Sequence, residues 1–235
     1  MTGSIRLFVE TPLLAGAVVA ATPAQAHYLG TVMRRRAGDA VRLFNGRDGE
    51  YQASIAGLRR DRAELAVEQQ LRPQAVGPDL WLAFALLKRD ATDLVVQKAT
   101  ELGVAALLPV VTERCNTHRV NQARLTAIAI EAAEQSERLT VPELHTPQTL
   151  HELLSFWPHE RRLFSAVERL DGPPLPPAGG PAGLLVGPEG GFAPSELDAM
   201  RQHPFVTTAN LGPNVLRAET ACIAGLALLQ AAGRA

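Results

Sequence analysis

The chain has 235 residues, of which 46% are hydrophobic and 20% are charged. This composition is typical of a folded globular protein, and it excludes a disordered chain, a collagen-like repeat and a coiled coil as the main architecture. The formal net charge of −1 provides no overall attraction to nucleic acids or membranes. Because the two cysteines, Cys115 and Cys222, are far apart in sequence, a disulfide framework is excluded and a reducing cytoplasm is the expected location.

The charge is distributed unevenly along the chain. Residues 1–75 contain ten arginines and seven acidic residues, a balance of +3, whereas residues 76–235 have a balance of −4. This asymmetry predicts two domains with different roles. No apolar stretch is long enough to span a bilayer, so we expect no membrane partner.

The N-terminal segment resembles a secretion signal over residues 5–26, where an apolar stretch precedes Ala-Gln-Ala. An acidic residue and a proline interrupt that stretch, however, and Ile5–Val9 has the pattern of a strand. Thr22 followed by proline is a typical helix start. We therefore predict strands and then a helix over Ala24–Arg35 in a folded domain. Four of its side chains are expected on one apolar face: Tyr28, Leu29, Val32 and Met33.

Short strands separated by polar turns follow this helix. They are predicted at Asp39–Phe44, Glu50–Leu58 and Ala63–Gln70. Such a run favours a small β-barrel or sandwich, which we place at residues 1–72. A linker rich in proline is predicted at residues 73–79.

From Leu80 onwards, apolar strands alternate with helices, which predicts an α/β domain at residues 80–235 with a parallel sheet covered on both faces. Asp90 is expected to cap the first of these helices. The predicted strands are Leu80–Leu87, Val104–Val111, Arg161–Val167, Gly183–Val186 and Phe205–Leu211. The predicted helices are Ala91–Leu102, Asn121–Arg138, Pro194–Gln202 and Arg217–Ala232.

A glycine-rich turn, Gly-Pro-Glu-Gly-Gly at residues 187–191, follows a predicted buried strand and precedes a helix. In open α/β sheets, ligands bind beyond the carboxyl ends of strands, and glycines let the backbone approach a ligand closely. The turn has neither the dinucleotide fingerprint nor the phosphate loop. It therefore indicates an adenosine-like ligand held without a pyrophosphate, although a tight turn with no ligand remains the alternative.

A second glycine-containing turn, residues 211–216, follows the next strand and leads into the last helix. Both turns are expected at the same edge of the sheet. Arg217 and Glu219 lie at the start of that helix, near the positive end of its dipole. The alternative is that Glu219 complements the dipole and that Arg217 is a surface charge.

Together these two segments are specific enough to indicate a protein family. GPEGGF (187–192) with LGPNVLRAETA (211–221) resembles the RsmE family of ribosomal RNA uridine-N3 methyltransferases, in the SPOUT superfamily. The resemblance covers nearly the whole chain in the same order. The other matching segments are HYLGTVMR (27–34), RLFNGRDGEY (42–51), LLKRDATDLVVQKATELGV (86–104), ERC (113–115) and AAEQSER (132–138).

The resemblance implies a fold, a cofactor and a substrate. It implies a PUA-like β-barrel that binds RNA, followed by a SPOUT-type parallel sheet containing a trefoil knot. S-adenosylmethionine would be held by three strand-end loops of a homodimer, and the substrate would be 16S ribosomal RNA, which we expect to be in an assembled small subunit. The implied cofactor-binding residues are Val186, Gly187, Pro188, Glu189, Gly190, Gly191, Leu211, Gly212, Asn214, Val215 and Leu216.

For catalysis, Arg217 is the candidate to stabilise an anionic uracil, because a guanidinium is always charged. Glu219 is a candidate base or an orienter of Arg217, and Glu189 is its rival. The candidate RNA-binding residues of the basic N-terminal domain are His27, Arg34, Arg35, Arg36 and Arg47. The alternative interpretation of Arg34–Arg36 is a solvated helix end with no RNA contact.

The histidines and cysteines show no metal-binding spacing, so no metal is predicted. The chain departs from the family pattern at Arg89, Ala91 and Asn214, and an RNA phosphate contact is therefore not assigned to Asn214. Two alternatives stay open: a SPOUT enzyme that acts on another RNA site, and an RNA-binding relative without transfer activity.

Overall fold

The structure, a computed structural model, describes residues 5–115, 117, 119–167 and 172–231. The chain separates into two compact units. The N-terminal unit contains the chain up to residue 76 together with residues 133–141, and the C-terminal unit contains the rest. The linker predicted at residues 73–79 lies near this division, but the sequence did not indicate that residues 133–141 belong with the N-terminal unit.

Among the described residues of the N-terminal unit, five strands form one sheet in the order β1-β3-β4-β5-β2. β1 pairs with β3 in parallel, and the other neighbours are antiparallel. The strands are β1 (Arg6–Phe8), β2 (Val18–Ala21), β3 (Ala40–Phe44), β4 (Glu50–Leu58) and β5 (Ala63–Arg72). Their inward side chains form one apolar core, which confirms the predicted small β domain.

A short helix, α1 (Pro23–His27), begins where the sequence predicts it. The Thr22 hydroxyl accepts a hydrogen bond from the Gln25 amide at 3.2 Å, and the Gln25 side chain accepts one from the Thr22 amide at 3.0 Å. The chain then forms a π-helical turn over Tyr28–Val32 instead of continuing as an α-helix to Arg35.

The π-helical turn changes which side chains face the core. Leu29 is fully buried, but Val32 is 58% exposed and Met33 is also exposed. The predicted single face of four apolar side chains is therefore wrong, because a π turn contains more residues than an α turn and breaks the 3.6-residue period.

Among the described residues of the C-terminal unit, seven parallel strands form one sheet in the order β12-β10-β11-β6-β7-β8, with β9 also paired to β7. The inner strands are apolar on both faces, as expected for a sheet covered by helices. The strands are β6 (Leu80–Ala85), β7 (Ala106–Val111), β8 (Glu143–Leu144), β9 (Gln148–Thr149), β10 (Arg162–Ala166), β11 (Ala182–Val186) and β12 (Val206–Ala209).

The helices are α2 (Arg89–Glu101), α3 (Gln122–Gln135), α4 (Leu150–Phe156), α5 (Pro194–Arg201) and α6 (Ala218–Leu229). α2 starts two residues earlier than expected: its N-cap is Lys88, and Asp90 lies inside the first turn, where its charge complements the helix dipole. The sequence did not predict α4, whose start is capped by Thr149 and Glu152. Within the described residues, no helix is both long and apolar enough to cross a membrane.

Two glycines bring the helical layers close to the sheet. A Cβ atom on Gly183 of β11 would lie 2.4 Å from the Trp157 ring. A Cβ atom on Gly225 of α6 would lie 2.6 Å from the Leu184 side chain. Both contacts are too short for a real side chain, so these positions require glycine for the observed packing.

The N-terminal unit contains a buried ion pair between Arg6 and Glu50. The Arg6 Nε donates to the Glu50 carboxylate at 2.6 Å, and both side chains are almost fully buried. The rest of the guanidinium donates to the carbonyls of Ala133, Glu134 and Arg138 at the end of α3, where a cation is favoured by the helix dipole. Arg6 therefore attaches residues 133–141 to the sheet of this unit.

We expect Arg6→Met to lower the free energy of unfolding by about 3 kcal/mol, because it removes the buried, hydrogen-bonded partner of the Glu50 carboxylate. Urea denaturation followed by circular dichroism measures this change. Arg72 is the matched control, since it also approaches Glu50, at 3.6 Å, but is 45% exposed. Arg72→Met should change the free energy by less than about 1 kcal/mol; equal losses in the two variants would contradict the prediction.

Candidate active site

The register of the parallel sheet places the two predicted turns at one edge. Val186, the last residue of β11, and Ala209, the last residue of β12, both pair with Ala166 of β10. Since neighbouring strands are about 4.8 Å apart, the ends of β11 and β12 are separated by about 10 Å at the same level. The chain therefore leaves the sheet through two glycine-containing segments that start side by side.

The first segment, residues 187–192, is a tight turn. The Gly191 amide donates to the Pro188 carbonyl at 2.8 Å, and Gly191 has a φ of 68°, which favours glycine. A Cβ atom on Gly187 would lie 2.8 Å from the Phe192 ring. Pro188 is buried, whereas Glu189 and Gly190 are exposed. This turn therefore presents backbone groups, rather than large side chains, at the edge.

The second segment runs from Asn210 to Leu216. The Asn210 side chain accepts a hydrogen bond from the Gly212 amide at 2.7 Å, and Gly212 has a φ of 134°. The Asn210 backbone is bonded on its other side to Pro173 and Leu175. Leu211 and Leu216 are half-buried, while the residues between them are exposed: Gly212, Pro213, Asn214 and Val215.

Open space lies beside both segments. A Cβ atom on Gly191 or on Gly212 would meet no atom within 4 Å, although both glycines adopt conformations that other residues rarely take. A shallow cavity also lies beside the first turn, lined by Leu86, Leu87, Lys88, Pro188 and Glu189. The arrangement fits a ligand that contacts backbone atoms at the two turns.

Arg217 and Glu219 lie where the second segment enters α6. Arg217 is the N-cap of the helix, and its exposed guanidinium has no ion pair within the described part of the chain. The Glu219 Oε2 atom is buried without a hydrogen-bond partner among the described residues. Burial and the Glu219 charge together raise the pKa of the Cys222 thiol, so this cysteine is neutral at physiological pH.

The predicted orientation of Arg217 by Glu219 is not observed, since no hydrogen bond or ion pair joins these two described side chains. Two residues for which the sequence predicts no role bind the backbone of the first turn and of the residue after it. Arg114 donates to the Gly190 carbonyl at 2.9 Å, and the Glu196 carboxylate accepts from the Ala193 amide at 2.8 Å. The Pro-Ser-Glu start of α5 is the one signal that could have indicated Glu196.

The predicted RNA-binding residues lie in the N-terminal unit. His27, Arg34, Arg36 and Arg47 are exposed, and Arg35 is half-buried. Arg34 has a φ of 52°, and Arg47 donates to the Glu10 carbonyl at 2.6 Å.

Two further observations concern the predicted ligands. The third expected cofactor loop follows β10, and its residues 168–171 lie outside the described part of the chain. Among the residues that are described, no group of three His, Cys, Asp or Glu side chains is placed to hold a metal ion.

Comparison with known proteins identifies the family. Residues 75–230 match an RNA methyltransferase domain, and residues 21–68 match an RNA methyltransferase PUA domain. The ribosomal RNA small subunit methyltransferase E of Rickettsia conorii is 34% identical over 221 residues, which cover 88% of this chain and 86% of that protein. The chain belongs to this methyltransferase family.

Solved structures of methyltransferase E and related enzymes have the same fold. A methyltransferase from Legionella pneumophila with bound S-adenosylmethionine is 30% identical, with a TM-score of 0.89 and 98% of both chains covered. The methyltransferase E of Neisseria gonorrhoeae, bound to S-adenosylmethionine, is 28% identical, with a TM-score of 0.87 over 97% of this chain and 98% of that one. These findings confirm the family and the two-part fold class that the motifs indicate.

We expect Gly187→Ala to weaken binding of S-adenosylmethionine by at least about tenfold, because its methyl group would displace the Phe192 ring and with it the first turn. Titration calorimetry measures the dissociation constant. Gly77→Ala is the matched control, since Gly77 lies outside the proposed site, is exposed, and a Cβ atom there would meet no atom within 4 Å. Equal affinity in the two variants would show that the turn does not form part of the binding site.

Proposed function

We propose that this protein transfers the methyl group of S-adenosylmethionine to N3 of a uridine in 16S ribosomal RNA of the small subunit, in the cytoplasm. The observation that carries the proposal is the pair of glycine-containing segments that leave the sheet about 10 Å apart, with open space beside Gly191 and Gly212. Relatives with this fold are solved with S-adenosylmethionine bound, and a relative at 34% identity is a small-subunit methyltransferase.

In this proposal the two segments hold the cofactor largely through backbone groups. Backbone amides and carbonyls suit the adenine and ribose, which carry donors and acceptors but no charge. The residues that we assign to the cofactor site are Val186, Gly187, Pro188, Glu189, Gly190, Gly191, Leu211, Gly212, Asn214, Val215 and Leu216.

The cofactor supplies a methyl group on a positively charged sulfur, which is already electrophilic. The protein therefore has two tasks: to orient the uridine and to stabilise it without its N3 proton. Uracil N3 is nucleophilic only after that proton leaves, and the negative charge then spreads to the neighbouring oxygens. The exposed guanidinium of Arg217 is suited to bind these oxygens, because it is permanently charged and presents parallel N–H donors.

Glu219 is the carboxylate that we assign to accept the N3 proton. Its buried Oε2 atom accepts no hydrogen bond from the described residues, so this acceptor is not used within the described part of the chain. Glu189 is the rival candidate, since it is exposed on the first turn beside the shallow cavity. The Glu219→Gln and Glu189→Gln variants distinguish them, because loss of the base removes the rise of the single-turnover rate with pH.

The N-terminal unit is assigned to RNA binding. Its basic charge and its match to a PUA domain support this role. Four of the five candidate residues are exposed and available to phosphates: His27, Arg34, Arg36 and Arg47. Replacing Arg34 and Arg36 by alanine should reduce the salt dependence of RNA binding by about two units of slope if both neutralise phosphates.

We also propose that the protein is a homodimer. α2 packs against α6, and both helices leave large apolar side chains exposed: Leu94 is 36% and Leu228 39% exposed. Val215, just before α6, is 61% exposed. A second copy packed against these helices would cover the exposed apolar side chains. Sedimentation equilibrium tests this proposal, because a dimer has twice the 25.2 kDa mass of the monomer.

Finally, we infer that the segment between β12 and α6 is threaded through the connection between β10 and β11, which forms the trefoil knot. The Asn210 backbone is bonded to Pro173 and Leu175 of that connection. α6 then packs against β11 and β6. β12 is the outermost strand of the sheet, and β10 lies between it and β11. These contacts with the described part of the connection, followed by the return of the chain across the sheet, support the proposed threading.

The product identifies the reaction. Purified protein is incubated with S-adenosylmethionine and with small subunits from a strain that lacks the endogenous enzyme, and the nucleosides are analysed by mass spectrometry. We expect 3-methyluridine in the small-subunit RNA. A 2′-O-methylated nucleoside, or methylation of transfer RNA alone, would assign the protein to another RNA site. Cofactor binding without any product would instead indicate a non-catalytic relative.

We expect Arg217→Ala to reduce the single-turnover methylation rate at least about 100-fold when the protein is saturated with both ligands, because one stabilising donor of a developing anion is lost. Quench-flow with labelled methyl donor measures the rate. Arg201→Ala is the control, since Arg201 is an exposed arginine of the same unit that pairs with Asp198. A wild-type rate in the Arg217 variant would remove this residue from the mechanism.

A further inference from the structure

The first turn, residues 187–192, is called the glycine-rich turn below. Side chains outside the proposed cofactor site join it to the segment that follows β7. This segment, residues 112–115, is itself a tight turn: the Cys115 amide donates to the Thr112 carbonyl at 3.1 Å, and the buried Cys115 sulfur lies 3.0 Å from the Thr112 hydroxyl. We refer to residues 112–115 as the β7 turn. These internal contacts restrain the β7 turn independently of the glycine-rich turn.

Glu196 connects the two turns through its carboxylate. One oxygen accepts from the Glu113 amide of the β7 turn at 2.9 Å, and the other accepts from the Ala193 amide, where the glycine-rich turn enters α5, at 2.8 Å. The side chain is buried, with 8% of its surface exposed. A buried carboxylate is retained only where hydrogen bonds compensate for its lost hydration, and these two amides provide them together with the N-terminal dipole of α5.

Two further bonds join the same turns. Arg114 donates to the Gly190 carbonyl at 2.9 Å, and the Ser195 hydroxyl donates to the Glu113 carboxylate at 2.5 Å. The glycine-rich turn is thus held at its middle by Arg114 and at its end by Glu196. Two adjacent glycines, Gly190 and Gly191, would otherwise leave this backbone with much conformational freedom.

We propose that Glu196 and Arg114 are positioning residues for the methyl-donor site. They hold the glycine-rich turn in the conformation that binds the cofactor, although neither belongs to the proposed set of cofactor ligands. The proposal rests on the proposed function, because it assigns the turn to the same site. Its physical basis is preorganisation: backbone donors and acceptors that are fixed before binding need not be ordered by the ligand.

Glu196→Gln tests the proposal, because the amide nitrogen that replaces one oxygen cannot accept from a backbone amide. We expect the dissociation constant for S-adenosylmethionine to rise about tenfold, as for the loss of one charge-assisted hydrogen bond in the free protein. The single-turnover rate at saturating cofactor should stay within about twofold of the wild-type rate, because bound cofactor restores the turn. Arg114→Met should raise the dissociation constant in the same direction.

Glu152→Gln is the matched control. Glu152 occupies the same third position of α4 and accepts from the Thr149 amide at 2.7 Å, and the Thr149 hydrogen bonds lower the pKa of its carboxyl group. This variant loses an equivalent helix cap but does not contact either turn. Because Glu152 is exposed, we expect a smaller loss of thermal stability than in Glu196→Gln, and an unchanged dissociation constant.

The possible outcomes distinguish the positioning role of Glu196 and Arg114 from the proposed function. Wild-type affinity in both Glu196→Gln and Arg114→Met would overturn the positioning role while leaving the proposed function intact. Equal weakening in Glu196→Gln and Glu152→Gln would also overturn it, because the effect would then follow from general stability. If the unaltered protein bound no S-adenosylmethionine at all, the proposed function itself would fail. Arg114→Met keeps the test valid should Glu196→Gln not fold, since Arg114 is exposed.

Discussion

The C-terminal unit depends on the parallel pairing of its strands in one register. Because β11 and β12 both pair with β10 and end level with Ala166, their following segments start together at one edge. Antiparallel pairing would send one of these segments to the opposite edge, about 15 Å away for strands of this length. The glycines, the start of α6 and the β7 turn share an edge only because every one of these strands runs in the same direction.

Much of this arrangement could be predicted from sequence, because it depends on local patterns. β4 begins and ends where alternation of apolar and polar residues predicts, and Thr22 caps α1 as expected. The predictions failed where a contact distant in sequence decides the structure. The π-helical turn at Tyr28–Val32 has no local signature in the apolar spacing, and residues 133–141 join the N-terminal unit through Arg6, more than a hundred positions away.

In the candidate site, too, some features can be predicted from local sequence patterns and others cannot. The two glycine-containing segments are contiguous motifs, so the sequence alone indicates them and their position after strands. Glu196 and Arg114 act through backbone groups of other segments, and a backbone carbonyl such as that of Gly190 is present at every position of the chain. Apart from the Pro-Ser-Glu start of α5, the pattern of side chains therefore does not indicate such bonds.

The close packing of Gly225 against Leu184 has a consequence for the evolution of the chain. Gly225 lies two turns along α6 from Arg217, about 12 Å away, and touches no part of the proposed site. It nevertheless sets how near the helix approaches β11, and so it sets the position of the helix start relative to the strand ends. A larger residue there would move the N-terminal end of α6 without altering any residue of the proposed site. Inherited variation at position 225 is therefore expected to be restricted as tightly as variation in the site, and changes in Leu184 should accompany any exception.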